Sequence, residues 1–146
     1  MNGETLKRIV RTYYDEVWSK GNLALIDTLM APDYVNRDPA TPAPNGEMHG
    51  REGMKELVST LRGAIPDMVM TIDGQVAEGD TVVSWWHASG TFLGALNGLP
   101  PTGAPGGTTG ITVTTFRNGE IVSDHAIWDT LGFMMRVGAL PAPALA

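Results

Sequence analysis

Helical spacing in the first part of the chain and strand-like alternation in the remainder predict an α+β domain. Three observations carry this. Leu6, Ile9, Val10, Tyr13, Tyr14 and Val17 recur at i, i+3, i+4 and i+7, which puts one apolar face on a helix. Thr81 to Phe92 runs without interruption as a strand. Asn118-Gly119 lies between two extended runs and is the strongest short hairpin signal a sequence offers.

The elements follow in order. Gly21 stops the first helix, and Asn22 is placed to cap a second one. Leu23, Ile26, Leu29 and Met30 give that helix, and Pro32 ends it. Asp33 to Asp38 is a short extended piece. Pro39, Pro42, Pro44, Gly46 and Gly50 make the stretch after it a loop or flap. Met54, Leu57, Val58 and Leu61 restore helical spacing over 51–61, until Gly63 and Pro66. After Pro66 the period changes to two. Met68 to Ile72 and Gln75 to Ala77 are extended, and Glu78-Gly79-Asp80 turns into the long strand. A strand of that length implies a strong bend, which Gly90 and Gly94 allow. Residues 98–110 hold five Gly and three Pro and form a hairpin connection or a mobile lid. Strands over 110–117 and 121–128 flank Asn118-Gly119, and a last helix runs from Thr130 to about Val137. Pro141 and Pro143 mark 141–146 as a loose tail. A curved sheet wrapped around helices encloses a cavity, the usual form of a small-molecule site.

Composition narrows the function. The 146 residues fit a single domain, 1–146. The net charge of −6, with no basic cluster beyond Lys7, Arg8 and Arg11, argues against a nucleic-acid partner. The chain has no cysteine, which excludes thiolate catalysis, disulfides and Cys-ligated metals. Its three histidines, His49, His87 and His125, form no metal-site pair, so no metal, flavin or nicotinamide is expected. No window approaches the ~20 apolar residues of a membrane span, and Glu4, Lys7, Arg8 and Arg11 interrupt any leader-like run. The expectation is a soluble, cytoplasmic domain with no membrane partner.

Several local strings converge. They are Ala31-Pro32-Asp33-Tyr34-Val35-Asn36, Gly50-Arg51-Glu52-Gly53, Glu78-Gly79-Asp80-Thr81-Val82-Val83 and Gly90-Thr91-Phe92. Gly98-Leu99-Pro100-Pro101-Thr102-Gly103, Phe116-Arg117-Asn118-Gly119-Glu120-Ile121-Val122 and Trp128-Asp129-Thr130-Leu131-Gly132 follow. In order and spacing the chain resembles the SnoaL-like polyketide cyclase family of the nuclear transport factor 2-like superfamily, from Thr5 to Leu140. The resemblance implies a cone-shaped α+β barrel, in which a highly curved antiparallel sheet is closed by N-terminal helices around an apolar pocket. It also implies no cofactor. Its best-known members close a ring of an aromatic polyketide ester by an intramolecular aldol step, in natural-product and antibiotic biosynthesis. Relatives hydroxylate, cyclise in other ways, open epoxides or isomerise steroids. The family's catalytic aspartate falls on Ala126, or on Ile127 with a gap, and its pocket histidine and glutamine fall on Thr112 and Gly110.

The candidate acid/base groups are therefore Asp124, Asp129 and His125. Asp129 sits where the N-cap of the last helix belongs. Strand alternation groups Asp124, Ala126 and Trp128 on one face and His125, Ile127 and Asp129 on the other. If Ala126 keeps the pocket face, Asp124 and Trp128 look inward; a bulge swaps the sets. Tyr14 and Asn36 match inward-pointing positions of the family and suit enolate stabilisation. Trp86, His87, Thr112, Thr114 and Trp128 complete the substrate-binding candidates. The leading expectation is a cyclase acting by acid/base or orientation catalysis on a polyketide-like molecule. A hydroxylase- or hydratase-like enzyme and a non-catalytic binding module are the alternatives. Trp85 or Trp86 with Ile127 would leave an apolar outer patch, so a homodimer through the sheet is expected.

Overall fold

The computed structural model describes residues 1–141; most of the expected tail, 142–146, lies outside them. Helix α1, Gly3–Tyr13, starts on Asn2, whose side chain accepts from the Thr5 N–H at 2.9 Å. It continues without a break into a wider π-type turn, Tyr14–Ser19, which ends at Gly21 with φ +74°. Such wide turns often mark functional sites. Here it begins at the second of two adjacent buried tyrosines, Tyr13 and Tyr14. Asn22 makes no capping bond; the short turn Leu23–Leu25 passes directly into α2, Ile26–Leu29.

Strand β1, Met30–Arg37, follows at once. The proline-rich flap contains a tight turn, Pro44–Gly46, and a short strand β2, Glu47–His49. Helix α3, Gly50–Ala64, leads to four long strands: β3, Val69–Glu78; β4, Thr81–Thr91; β5, Pro105–Arg117; and β6, Glu120–Trp128. Helix α4, Thr130–Arg136, follows. The two extended pieces expected on either side of Asp73 are one strand. Asp73 is the extra residue of a bulge, and the neighbouring Gly74 leaves room for the Trp85 ring. The glycine-rich stretch from Pro105 onward is strand, so the connection between β4 and β5 shortens to 92–104.

The six strands lie in the order β2-β1-β6-β5-β4-β3. The α+β class and the helices-then-strands plan hold, with two corrections. The sheet is mixed, because β1 runs parallel to β6. Parallel neighbours need a long crossover, and here everything from β2 to β5 supplies it. The sheet is also open and only modestly curved: β2 and β3 are its free edges, so no barrel closes. β4 pairs with β5 from Thr81 to Thr91 without a register shift. Gly90 and Gly94 admit close packing, of the Ile65 side chain and the Gly63 carbonyl respectively.

One face of the sheet packs on α1 and α3 and forms a single core that includes Val10, Tyr14, Met54, Val58 and Trp86. The other face is open. Among the described residues no helix is long and apolar enough to cross a membrane.

Asp129 caps α4: its carboxylate accepts the Gly132 N–H at 2.8 Å and lies 3.3 Å from Arg136. Asp129→Asn should therefore change stability by only a few tenths of a kcal/mol, and Asp129→Ala should cost about 1 kcal/mol. Urea titration of the three proteins reads both values.

Candidate active site

The parallel ladder places Asn36 beside Asp124 and Arg37 beside His125. The antiparallel ladder on the other side of β6 places Thr114 opposite Asp124 and Thr112 opposite Ala126. Alternation then sends Tyr34, Asn36 and Asp38 inward from β1, Thr112 and Thr114 from β5, and Asp124, Ala126 and Trp128 from β6. No bulge interrupts β6 between Ser123 and Trp128, so the alternative face assignment falls away.

These side chains and the helices facing them enclose a cavity of about 90 Å³. Tyr13, Tyr14, Trp18, Trp86, Trp128 and Phe133 give it a largely aromatic wall, with Met68 and Met70 filling gaps. Gly110 stands between Trp86 and Trp128, and a Cβ there would meet both, coming within 2.8 Å of Trp128 Cβ. The Trp86 indole N–H donates to Thr112 Oγ1 at 3.0 Å, and the Trp18 N–H to Tyr13 Oη at 2.8 Å.

Asp124, 2% exposed, also lines the cavity. Tyr34 Oη donates to one carboxyl oxygen and Thr114 Oγ1 to the other, both at 2.6 Å. Burial pushes the Asp124 carboxyl above the usual carboxylate range, and the two hydroxyls pull it part of the way back. Tyr13, Tyr14 and Tyr34 are raised by their own burial and then by the charge of Asp124, so all three remain neutral donors.

A second carboxylate, which sequence reasoning passed over, also lines the cavity. Asp38 is buried; one oxygen accepts the Trp128 indole N–H at 2.9 Å and the other the Ala40 N–H at 2.8 Å. Burial raises its pKa, against those two bonds and the charge of His125. The signal was the period-two series Tyr34, Asn36, Asp38, which shares one face of an extended piece.

The structure thus brings Tyr14, Asn36, Trp86, Thr112, Asp124 and Trp128 to one cavity, with Thr114 directly behind Asp124. Three candidates lie elsewhere. His125 is exposed on the opposite face of β6, and Asp129 serves the helix cap. His87 is exposed on β4 and pairs with Asp73 at 2.8 Å, on the face away from Trp86. Alternation excludes all three from the cavity. Among the described residues no cluster of His, Asp and Glu has the geometry of a metal site.

Fold and cavity define an α+β protein with a small-molecule pocket between helices and an open sheet. A model of the SnoaL-like polyketide cyclase family matches residues 8–136, and the chain belongs to that family. A proposed polyketide cyclase from Acidithiobacillus ferrooxidans is 34% identical over 94% of this chain and 98% of its own, with a TM-score of 0.83. IdmH, a proposed polyketide cyclase from Streptomyces antibioticus, is 29% identical over 91% and 98%, with a TM-score of 0.79. A proposed SnoaL-like cyclase from Jannaschia sp. CCS1 shares the fold, with a TM-score of 0.84 at 22% identity over 94% of both chains. No curated protein sequence matches the chain.

The raised Asp124 carboxyl has a consequence for stability. The folded state holds its proton to higher pH than the unfolded state does, so this group's contribution declines as pH rises from about 4 to the folded pKa, and stays low above it. Asp124→Asn removes that decline. The difference between wild-type and variant urea midpoints, followed from pH 3 to 8, should therefore shift toward the variant as pH rises. A difference independent of pH would contradict the raised carboxyl.

Proposed function

We propose that this protein is a cofactor-independent cyclase that closes a ring in a polyketide-like molecule by enolisation and carbon–carbon bond formation. The observation that carries this reading is the buried Asp124 carboxyl lining an aromatic cavity, with Tyr34 and Thr114 fixing its two oxygens. Membership of the SnoaL-like family supports it.

The proposed chemistry needs one proton shuttle. Asp124 takes the proton from the carbon between two carbonyls, and the C–H electron pair becomes an enolate. Neutral tyrosine hydroxyls and the Asn36 amide in the same cavity suit stabilisation of that oxyanion. The enolate carbon attacks a second carbonyl of the same molecule, and the alkoxide formed recovers the proton from Asp124. Burial places the carboxyl's proton affinity nearer that of its working pH, which favours both transfers. Aromatic walls hold the chain folded on itself, and orientation alone can supply several kcal/mol.

The resemblance puts the family's aspartate on Ala126, or on Ile127 with a gap; Ala126 shares the inner face of β6 with Asp124, two residues away. Asp38 is a second carboxylate in the cavity wall; it accepts the Trp128 indole N–H, which fixes that ring as part of the aromatic wall. A hydratase using His125 or Asp129 loses support, because both point away from the cavity.

Asp124→Asn should lower turnover ~10²–10⁴-fold with the fold intact, whereas Asp129→Asn should stay within about threefold of wild type, since Asn caps as well as Asp. Ring closure of a model β-diketone ester, followed by absorbance, reads both. Equal rates for wild type and Asp124→Asn would replace proton shuttling by orientation alone.

The partner we propose is a second copy of the chain. Trp85, Ile111 and Ile127 are consecutive cross-strand neighbours, 42%, 53% and 62% exposed on the open face of the sheet. Val113 extends the patch. A patch centred on the sheet is self-complementary under a two-fold axis and so suits an isologous dimer. Sedimentation should show a dimer at micromolar concentration, shifted toward monomer by Ile127→Lys; a monomeric wild type would refute it.

A further inference from the structure

The reaction cavity does not stand alone. A second cavity of about 170 Å³ shares Asp38, Leu57, Leu61 and Trp128 with it, so those four side chains form the boundary, or waist, at which two lobes adjoin. Neither lobe alone comes near the ~300 Å³ at which pockets for drug-sized ligands begin, and only the two together approach it. A polyketide-sized molecule therefore needs both lobes and has to extend across the waist.

The two lobes differ in chemistry. The inner one is aromatic, with Asp124 in its lining. The outer one has an apolar floor that includes Met48, Leu96 and Met134, and a ring of polar groups above it. Thr41, Thr60 and Thr130 bring hydroxyls to that ring, Asn97 an amide, and Asp38 and Glu56 carboxylates. Neither lobe is lined by a lysine, arginine or histidine. The arginines on the adjoining elements are engaged elsewhere. Arg37 faces Glu47, and Arg51 donates to the Met30 carbonyl. Arg136 donates to the Gly107 carbonyl and pairs with Asp129. Asp38 at the waist is held only by N–H donors, and each of its oxygens retains acceptor capacity toward the lobes.

We propose that the outer lobe is a second substrate subsite, which takes a head group that donates hydrogen bonds and carries no acid, while the inner lobe buries the apolar reacting end. The inference rests on the reading of the inner lobe as the reaction chamber. A hydroxylated or aminated head finds two carboxylates and several neutral acceptors there. A carboxylate or phosphate head meets Asp38 and Glu56 with no counter-ion in the lining, and pays for its desolvation without return. The enzyme therefore sorts substrates at the end remote from the chemistry. The reaction that supplies its substrate must leave that end free of acid, with donor groups already installed.

The test uses four probes that share one phenyl ring and differ at the other end: butylbenzene, 4-phenylbutane-1,2-diol, 4-phenylbutylamine and 4-phenylbutyrate. Calorimetric titration into the full chain should show the diol or the amine, or both, binding about tenfold tighter than butylbenzene, the worth of a hydrogen bond to a charged acceptor. Phenylbutyrate should bind more weakly than butylbenzene. Whichever of diol and amine binds tighter identifies the head group. In Asp38→Asn the advantage should shrink at least threefold, with butylbenzene unchanged. Should that variant unfold, Glu56→Gln combined with Thr130→Val gives the same reading from the rim. Equal affinities for butylbenzene, the diol and the amine would overturn the outer subsite and leave the reaction chamber intact. Phenylbutyrate binding as tightly as the amine would also overturn it. Failure of butylbenzene itself to bind would instead strike at the reaction chamber, and with it this inference.

Discussion

A carboxyl group that is 2% exposed cannot be tolerated without donors, and Asp124 obtains them from both neighbouring strands. Tyr34 reaches it from β1 and Thr114 from β5, each at 2.6 Å. The three central strands are thereby tied in register around one buried group. A slip of one residue in β1 or β6 would carry its whole inner row to the open face and leave the carboxyl unpaired. The same bonds set the protonation behaviour of the cavity. Burial makes the carboxyl a stronger base than an exposed aspartate, and burial of the three surrounding phenols, reinforced by the carboxylate's charge, raises them. Register, polar satisfaction and acid/base character thus follow from one residue.

The walls of the cavity depend on small residues as much as on large ones. Gly110 lies in the ladder between Trp86 and Trp128, and its missing side chain lets the two indoles approach across the strand. Tyr14 meets Trp86 edge-on at 6.4 Å, and Phe133 meets Trp128 at the same distance. The wider helical turn after α1 lets Tyr13 and Tyr14, adjacent in sequence, both line the cavity together with Trp18. Arg62 fixes the end of that turn by donating to the carbonyls of Trp18 and Ser19. The aromatic lining is held by backbone devices on each side.

Much of this was legible in the chain itself, because it depends on local period and local turn chemistry. The apolar stripe of α1, the turn at Asn118-Gly119 with φ of +52° and +79°, the Asp129 cap and the inward face of Asp124 are all short-range properties. The parallel contact of β1 with β6 was not legible. It joins residues some ninety positions apart, and no turn signal records it. That contact is also what makes Asp38 a cavity residue, so missing the one meant missing the other. The open sheet was misjudged for a related reason. Alternation shows that a strand has two faces but not which strands end as edges, here β2 and β3, or whether those edges meet. Gly90 and Gly94 serve close packing against the 63–65 segment, a long-range contact that no local pattern records.

The relation between Ala126 and its two flanking carboxyls gives the site its individual character. The resemblance to the family puts its acid at Ala126, or at Ile127 with a gap; here the inner face carries a methyl group at Ala126, with Asp124 two residues before it on the same face and Asp38, just past β1, in the same cavity wall. Inner-face neighbours along a strand stand roughly 7 Å apart, twice the ~3.3 Å rise per residue. A proton shuttle displaced by that length meets a different carbon of a bound chain, unless the chain itself shifts inward.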